Sequence, residues 1–115
     1  MRMAHDRGCA VVWLRGELDV AEAAEARRFL LSVVALSTGR VVVDVTDLVF
    51  VDAAGLGVLV AAARLARGEG GWLRLVDASP LLRRLLRITE LTSALPVFES
   101  VHAAVTVGAP AQEEA

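Results

Sequence analysis

The chain has 115 residues, of which 56% are hydrophobic and 23% are charged, so it fits one domain with enough apolar side chain for a core, and the disordered class is excluded. The net charge is −2 and the twelve basic residues are all arginine, scattered singly or in pairs. No basic stripe is available to neutralise a run of phosphates, so we do not expect nucleic acid as a partner.

Features that would direct the chain into or across a membrane are not found in the sequence. No uncharged apolar run, residues 53–63 included, approaches the roughly 20 residues that a bilayer requires. The amino-terminal apolar run is too short for the core of a secretion signal. The single cysteine, Cys9, cannot form an internal disulfide, which agrees with a reducing compartment, and its apolar strand context favours a packing role. We expect a cytoplasmic protein.

The first part of the chain predicts a strand, a helix and a second strand. Cys9–Leu18 is a β-rich apolar run that can form a hairpin with the residues before it. Asp19, with Glu22 three positions later, matches a capping box and predicts a helix over residues 21–36. Its buried face is predicted to contain Phe29, Leu30, Val33 and Val34. Residues 40–45 are apolar on both faces, which is typical of a central strand with parallel neighbours.

After an acidic loop, the remaining elements alternate in the same way. Helical periodicity predicts a second helix over residues 55–67, and Trp72–Val76 is a third predicted strand. Ser79 and Pro80 are typical of a helix entrance, with the hydroxyl at the N-cap and proline at N1. The third helix is predicted to pack on the core through Leu81, Leu82, Leu85 and Leu86.

The end of the chain predicts an edge strand at residues 96–98 and a last helix, capped by Ser100, through about Val107. We expect residues 1–107 to form the domain and residues 108–115 to form a flexible tail. Strands that alternate with helices predict an α/β fold, a mixed sheet of four to five strands with about four helices packed against it.

Three aspartates lie around the predicted strand-to-helix loop and could hold a metal ion or act as an acid and base pair. They are Asp44, Asp47 and Asp52. No histidine or further carboxylate lies at ligand spacing, and Asp52 stands where a helix N-cap carboxylate belongs. We therefore predict no metal ion and no cofactor, and interpret these side chains as solvated groups and a helix cap.

Other patterns associated with catalysis are incomplete. Gly55 and Gly57 lack the third glycine of a dinucleotide fingerprint and the lysine of a P-loop, so close packing of a helix start on the sheet is the favoured interpretation. Each serine has a helical, turn or cap explanation. His5 and His102 lie near the two chain ends without evident triad partners. We predict no catalytic residues and no enzyme activity.

Three segments follow one another along nearly the whole chain: RGELD at residues 15–19, DVTDLVFVDAAGLGVLV at residues 44–60, and SPLLRRLLRITEL with LPVFES between residues 79 and 100. Together they resemble the STAS domain of bacterial anti-sigma factor antagonists. The element of aspartate, two small residues and Gly-Leu-Gly at residues 52–57 is the most diagnostic part of the resemblance.

The resemblance implies a switch protein that binds an anti-sigma factor, which is also a serine kinase of the histidine-kinase-like ATPase type, and so frees a sigma factor. The kinase turns such antagonists off by phosphorylating a serine that follows the aspartate directly. The matching residue here is Ala53, and its neighbour Ala54 also lacks a hydroxyl. The resemblance therefore implies a partner-binding surface without the usual phosphorylation site. Thr46, the nearest hydroxyl, is interpreted as a turn or strand-end hydrogen-bonding group.

Carried over residue by residue, the resemblance implies one set of partner-binding residues: Asp19, Asp52, Ala53, Ala54, Gly55, Leu56 and Gly57. The two aspartates match family positions that border the acceptor, and helix capping is their other predicted role.

Two other functions fit the same resemblance. STAS domains also serve as scaffolds of stress-sensing assemblies or as subunits beside the ATPase of ABC-type lipid transporters, where the serine need not be phosphorylated. A nucleotide-binding role is a further alternative. A homodimer, the cognate partner and the regulated sigma factor stay open at this point.

Overall fold

A five-stranded mixed sheet forms the centre of the structure, which is a computed structural model that describes residues 1–108. The strands are β1 (Arg2–Asp6), β2 (Cys9–Leu18), β3 (Arg40–Val51), β4 (Trp72–Val76) and β5 (Val97–Phe98), and they lie in the sheet in chain order. The pair β1 and β2 is antiparallel, and the other neighbours are parallel. The described helices are α1 (Ala23–Leu36), α2 (Ala53–Gly68), α3 (Pro80–Ile88) and α4 (Val101–Thr106). The predicted α/β fold is confirmed.

The hairpin considered for the amino terminus is present. Asp6 pairs with Cys9, which leaves Arg7 and Gly8 as a two-residue loop with φ angles of 52° and 79°. Two consecutive positive φ angles are typical of the hairpin turn whose twist matches that of the flanking strands.

The two faces of the sheet are covered unequally. The larger core lies between the sheet and helices α1, α2 and α3, and includes the fully buried Leu30, Leu59 and Leu75. A smaller cluster on the other face packs strand residues such as Val42 against Ala104 of α4. Residues 41–43 of β3 are therefore buried on both faces, as predicted for the strand at residues 40–45.

Strand β3 is longer than predicted. We expected an acidic loop after Val45, but the strand continues to Val51 and pairs with the end of β2. The register shifts between Trp13 and Arg15 and again between Gly16 and Glu17. Pairing with β2 satisfies the backbone groups of this segment. The segment was not predicted as a strand because Thr46 and Asp47 are polar and exposed, which interrupts the apolar pattern.

The predicted start of α1 is also wrong. The helix begins at Ala23 rather than at residue 21, and its N-cap is Glu22, whose side chain makes no capping hydrogen bond. Asp19 instead accepts hydrogen bonds from the N–H groups of Ala21 and Glu22, at 3.0 and 3.1 Å, in a turn before the helix. Asp19 thus satisfies backbone donors as a cap would, but it lies three residues before the N-cap of α1.

Helix α3 starts as predicted, with Ser79 Oγ accepting from Leu82 N–H and Pro80 in the first turn. Leu82 and Leu86 are buried, whereas Leu81 is 60% exposed, so its predicted place in the core is wrong. Leu81 directly precedes a buried position, and neighbouring helical residues point about 100° apart.

Arg74 lies in the middle of β4 and is only 1% exposed. Its guanidinium lies 3.8 Å from the ring centroid of Trp72 and donates hydrogen bonds to the carbonyls of Ala104, Val107 and Gly108 at 2.8, 2.6 and 2.6 Å. Terminal carbonyls of a helix have no partner within the helix, so Arg74 caps α4. It also holds Gly108, where we expected the tail to begin; residues 109–115 of that tail lie outside the described residues.

Candidate functional site

The candidate site lies where the carboxyl ends of two paired strands meet. Leu18 of β2 and Val51 of β3 are partners in the parallel register, and Asp19 and Asp52 follow them directly. Because the ends of parallel strands lie at one edge of the sheet, the two aspartates are brought to the same edge, before α1 and α2. The structure therefore places two sequence segments, 33 residues apart in the chain, in one site.

Asp52 joins the two segments through its carboxylate. Its Oδ1 accepts a hydrogen bond from Gly55 N–H at 2.9 Å, and its Oδ2 accepts one from Val20 N–H at 3.0 Å. The backbone N–H of Asp52 donates to the carbonyl of Leu18 at 3.3 Å. The predicted N-cap role of Asp52 is confirmed, and the same side chain also fixes the loop that follows β2.

Gly55 allows α2 to approach β2 closely. A Cβ atom at this position would lie 2.0 Å from the carbonyl oxygen of Leu18, far inside an ordinary contact. A Cβ atom at Gly57 would meet no atom within 4 Å. The close-packing interpretation is therefore confirmed for Gly55, while Gly57 faces open space.

The seven predicted site residues divide into an outward and an inward group. Ala53 and Gly57 are exposed, and Asp19, Asp52 and Ala54 are half-buried. Gly55 and Leu56 are buried, so they support the first turn of α2 from beneath. Sequence reasoning missed Val20, which is 76% exposed and whose N–H is held by Asp52. We call the exposed and half-buried residues Asp19, Val20, Asp52, Ala53, Ala54 and Gly57 the α2 surface.

The electrostatics of the α2 surface depend on the start of a 16-residue helix. Its first turn contains no acidic residue, and Asp52 provides the negative charge at the N-cap. The positive end of a helix favours negative charge close to it, by about 0.3–1 kcal/mol at exposed positions. Ala53 itself presents a methyl group and carries neither charge nor a hydroxyl.

Thr46 lies within hydrogen-bonding distance of two carboxylates. Its N–H and hydroxyl lie 2.9 and 2.5 Å from Asp44 Oδ1, and the hydroxyl lies 3.2 Å from Asp77 Oδ2. This arrangement agrees with the predicted hydrogen-bonding role, although Thr46 lies within β3 rather than in a loop.

Within residues 1–108, no group of three or more histidine, cysteine, aspartate or glutamate side chains is placed to hold a metal ion. Asp44, Asp47 and Asp52 in particular form no such group. In the same part of the chain, no helix is long and apolar enough to span a bilayer.

The lone thiol lies away from the α2 surface. Cys9 is buried in the smaller cluster at the start of β2, as its predicted packing role requires. Burial raises the pKa of the Cys9 thiol, although the nearby guanidinium of Arg40 acts in the opposite direction. A raised pKa lowers the fraction of reactive thiolate.

Comparison with known proteins gives consistent results for sequence and fold. Residues 1–104 match the STAS domain family. The chain is 29% identical over 107 residues to the anti-sigma F factor antagonist of Paenibacillus polymyxa, and the match covers 92% of each protein. A crystal structure of an anti-sigma factor antagonist from Mycobacterium paratuberculosis superposes with a TM-score of 0.81 at 28% identity, covering 91% of this chain and 89% of that one.

A third similar structure is that of the Bacillus cell fate determinant SpoIIAA in its phosphorylated form. Its TM-score is 0.70 at 20% identity, with coverage of 89% of this chain and 94% of that one, so the likeness concerns the fold. The relatives from Paenibacillus and Mycobacterium are named as antagonists of anti-sigma factors, not as enzymes, which agrees with the prediction that this chain is not an enzyme.

Proposed function

The chain belongs to the STAS domain family, and from that premise we propose that it is a cytoplasmic anti-sigma factor antagonist that cannot be switched off at the usual place. Its partner is an anti-sigma factor that is also a serine kinase of the histidine-kinase-like ATPase type. Binding of this partner releases a sigma factor for transcription. The chain itself performs no chemistry.

The exposed methyl group of Ala53 carries this proposal. Ala53 is the first residue of α2 and directly follows the N-cap Asp52, the position at which the family resemblance implies a phosphorylated serine. A similar protein, the Bacillus SpoIIAA, has a phosphorylated form. Alanine has no oxygen to accept a phosphate, so the same position in this chain stays neutral.

The charge of a phosphate explains why this position decides binding. Phosphorylation adds roughly 1.5 to 2 negative charges near pH 7. The start of a helix tolerates such a charge, whereas a partner surface that packs on it loses affinity through desolvation and repulsion. With a methyl group at Ala53, the partner meets a surface of the same charge whether or not its kinase is active.

The neighbouring residues support the surface in different ways. Asp52 accepts hydrogen bonds from Val20 N–H and Gly55 N–H, and Asp19 closes the turn before α1. The loop that follows β2 and the first turn of α2 are therefore fixed before a partner arrives. A surface fixed in advance loses less conformational entropy on binding. Gly57, one turn along α2, leaves space for the partner's side chains.

The experiment compares the natural chain with Ala53→Ser. Each protein is incubated with ATP and with the purified kinases of this type encoded in the same genome, and phosphate uptake is followed by intact mass while binding is followed by calorimetry. We expect the natural chain to bind one kinase and to take up no phosphate, and Ala53→Ser to be phosphorylated and to lose binding.

Two results would overturn the proposal. The first is phosphate on the natural chain together with lost binding. The second is binding to none of these kinases and recovery instead of a transporter ATPase or a large STAS assembly, which would favour the scaffold function. Light scattering on the same samples reports whether the chain forms the homodimer that the resemblance leaves open.

A further inference from the structure

A shallow apolar groove lies next to the α2 surface. It is formed by the end of β3 and the start of α3, and its lining includes Val49, Phe50, Leu81 and Leu85. Val49 is 74% exposed, Phe50 is 46% exposed and Leu81 is 60% exposed. Single exposed apolar residues are common on protein surfaces, but a contiguous group of them is typical of an interaction site.

The outer side of α3 continues this groove. Leu81, Arg84 and Ile88 are spaced by three and four residues, so they lie along one side of the helix, opposite the buried Leu82 and Leu86. Ile88 is 65% exposed. An apolar contact that begins at Phe50 can therefore extend over the length of α3.

The charge on the helix side of the groove is positive. Helix α3 contains three arginines and no acidic residue, while Asp77, Glu90 and Glu99 lie outside the helix. Arg83 donates to the carbonyl of Ala78 at 3.1 Å, while Arg84 and Arg87 are exposed on the helix. On the sheet side, the exposed Glu17 of β2 lies opposite Phe50 of β3 in the strand register. Its negative charge limits the positive region at that end.

We propose that this groove binds an acidic amphipathic segment of the same anti-sigma factor, which extends the contact made at the α2 surface; this inference rests on the proposed function. Apolar side chains of the segment pack on Phe50, Leu81 and Ile88, and its carboxylates face Arg84 and Arg87. Phe50 is two residues before Asp52, so the two surfaces are continuous. A second copy of this chain fits less well, because a symmetric contact would bring arginines against arginines.

The test uses the anti-sigma factor that the natural chain binds, with two pairs of variants. Leu81→Asp removes an anchor, and its control is Leu36→Asp, because Leu36 is 87% exposed at the end of α1, at the opposite edge of the sheet. Arg84→Glu with Arg87→Glu reverses the charge of the groove. Its control, Arg7→Glu with Arg40→Glu, makes the same charge change at that opposite edge.

We expect Leu81→Asp to weaken binding by at least about tenfold, which corresponds to about 1.4 kcal/mol. The pair at Arg84 and Arg87 should weaken binding by a similar factor and flatten its dependence on salt between about 50 and about 300 mM. Both controls should stay within about twofold of the natural chain. Because all the changed residues are exposed, each variant should keep its melting temperature within a few degrees.

The outcomes separate this inference from the proposed function. If the natural chain binds no anti-sigma factor, both are overturned. If it binds and the groove variants bind as tightly as their controls, the groove proposal alone is wrong. Vesicles of phosphatidylglycerol provide a further arm: a groove-dependent attachment to them, with anti-sigma binding unchanged, would assign the groove to a membrane surface and also overturn the proposal.

Discussion

Two glycines in the first turns of α2 should respond to alanine with opposite signs. Gly55 is buried against β2, and an added Cβ would lie 2.0 Å from the carbonyl oxygen of Leu18 and 2.9 Å from its carbonyl carbon. Gly57 is exposed, and an added Cβ there would meet no atom within 4 Å. The pair therefore isolates the close approach of helix and strand from the general effect of alanine in a helix.

The expected magnitudes follow from these contacts. At Gly55 the obstacle is backbone, so α2 must move by roughly an ångström, and overpacking of this kind lowers the free energy of unfolding by about 1–3 kcal/mol. The helix preference of alanine offsets up to about 1 kcal/mol of that loss. At Gly57 only the gain of about 0.5–1 kcal/mol remains. Because the helix preference is common to both variants, we expect them to differ by about 1–3 kcal/mol, or roughly 5–15 °C in melting temperature.

Urea denaturation followed by circular dichroism measures both free energies of unfolding. Gly55→Ala should also weaken anti-sigma factor binding, because a shift of α2 separates Asp52 from Val20. The reasoning is refuted if Gly55→Ala is as stable as Gly57→Ala, since β2 and α2 would then not be in contact as described.

The other predictions concern caps and buried groups. Asp52→Ala should lower the free energy of unfolding by about 2 kcal/mol, because two backbone N–H groups lose an acceptor. Asp52→Asn should lower it by less. Equal stability of the natural chain and both variants in urea would contradict this prediction. Arg74→Met should lower the free energy of unfolding by about 2–4 kcal/mol in the same assay, because the carbonyls at the end of α4 lose their donor. The control Arg40→Met, at an exposed position, should stay within about 0.5 kcal/mol of the natural chain. Equal effects of the two variants would exclude the capping of α4 by Arg74. Cys9 should react with iodoacetamide slowly in the native state and quickly in urea, because it is buried and its pKa is raised, and fast native labelling would contradict its placement.

The strands and most helices could be predicted because their signals are local. The apolar run at residues 40–45, the pair Ser79 and Pro80, and the N-cap carboxylate of Asp52 each need only a few neighbouring residues to be recognised. The residues of the candidate site were predicted from the family resemblance, which includes the segment at residues 52–57. What these signals predict is the existence of each element rather than its ends.

Features that depend on distant residues were missed. The extension of β3 to Val51 depends on pairing with β2, and the exposed Thr46 and Asp47 gave no sign of it. Arg74 interrupts an otherwise apolar strand, and this was a signal of a buried guanidinium, but its partners are carbonyls 30 to 34 residues further along the chain. The groove at Phe50 and Leu81 likewise requires α3 to be placed beside β3, which no local pattern indicates.

The central claim, that the charge of the partner-binding surface does not change whatever the kinase does, is tested most directly by one affinity measurement. The dissociation constant of the natural chain for its anti-sigma factor is determined before and after prolonged incubation of the pair with ATP and Mg²⁺. The account predicts the same value at both times and an unchanged mass of the chain. A gain of one phosphate accompanied by a large loss of affinity would contradict it.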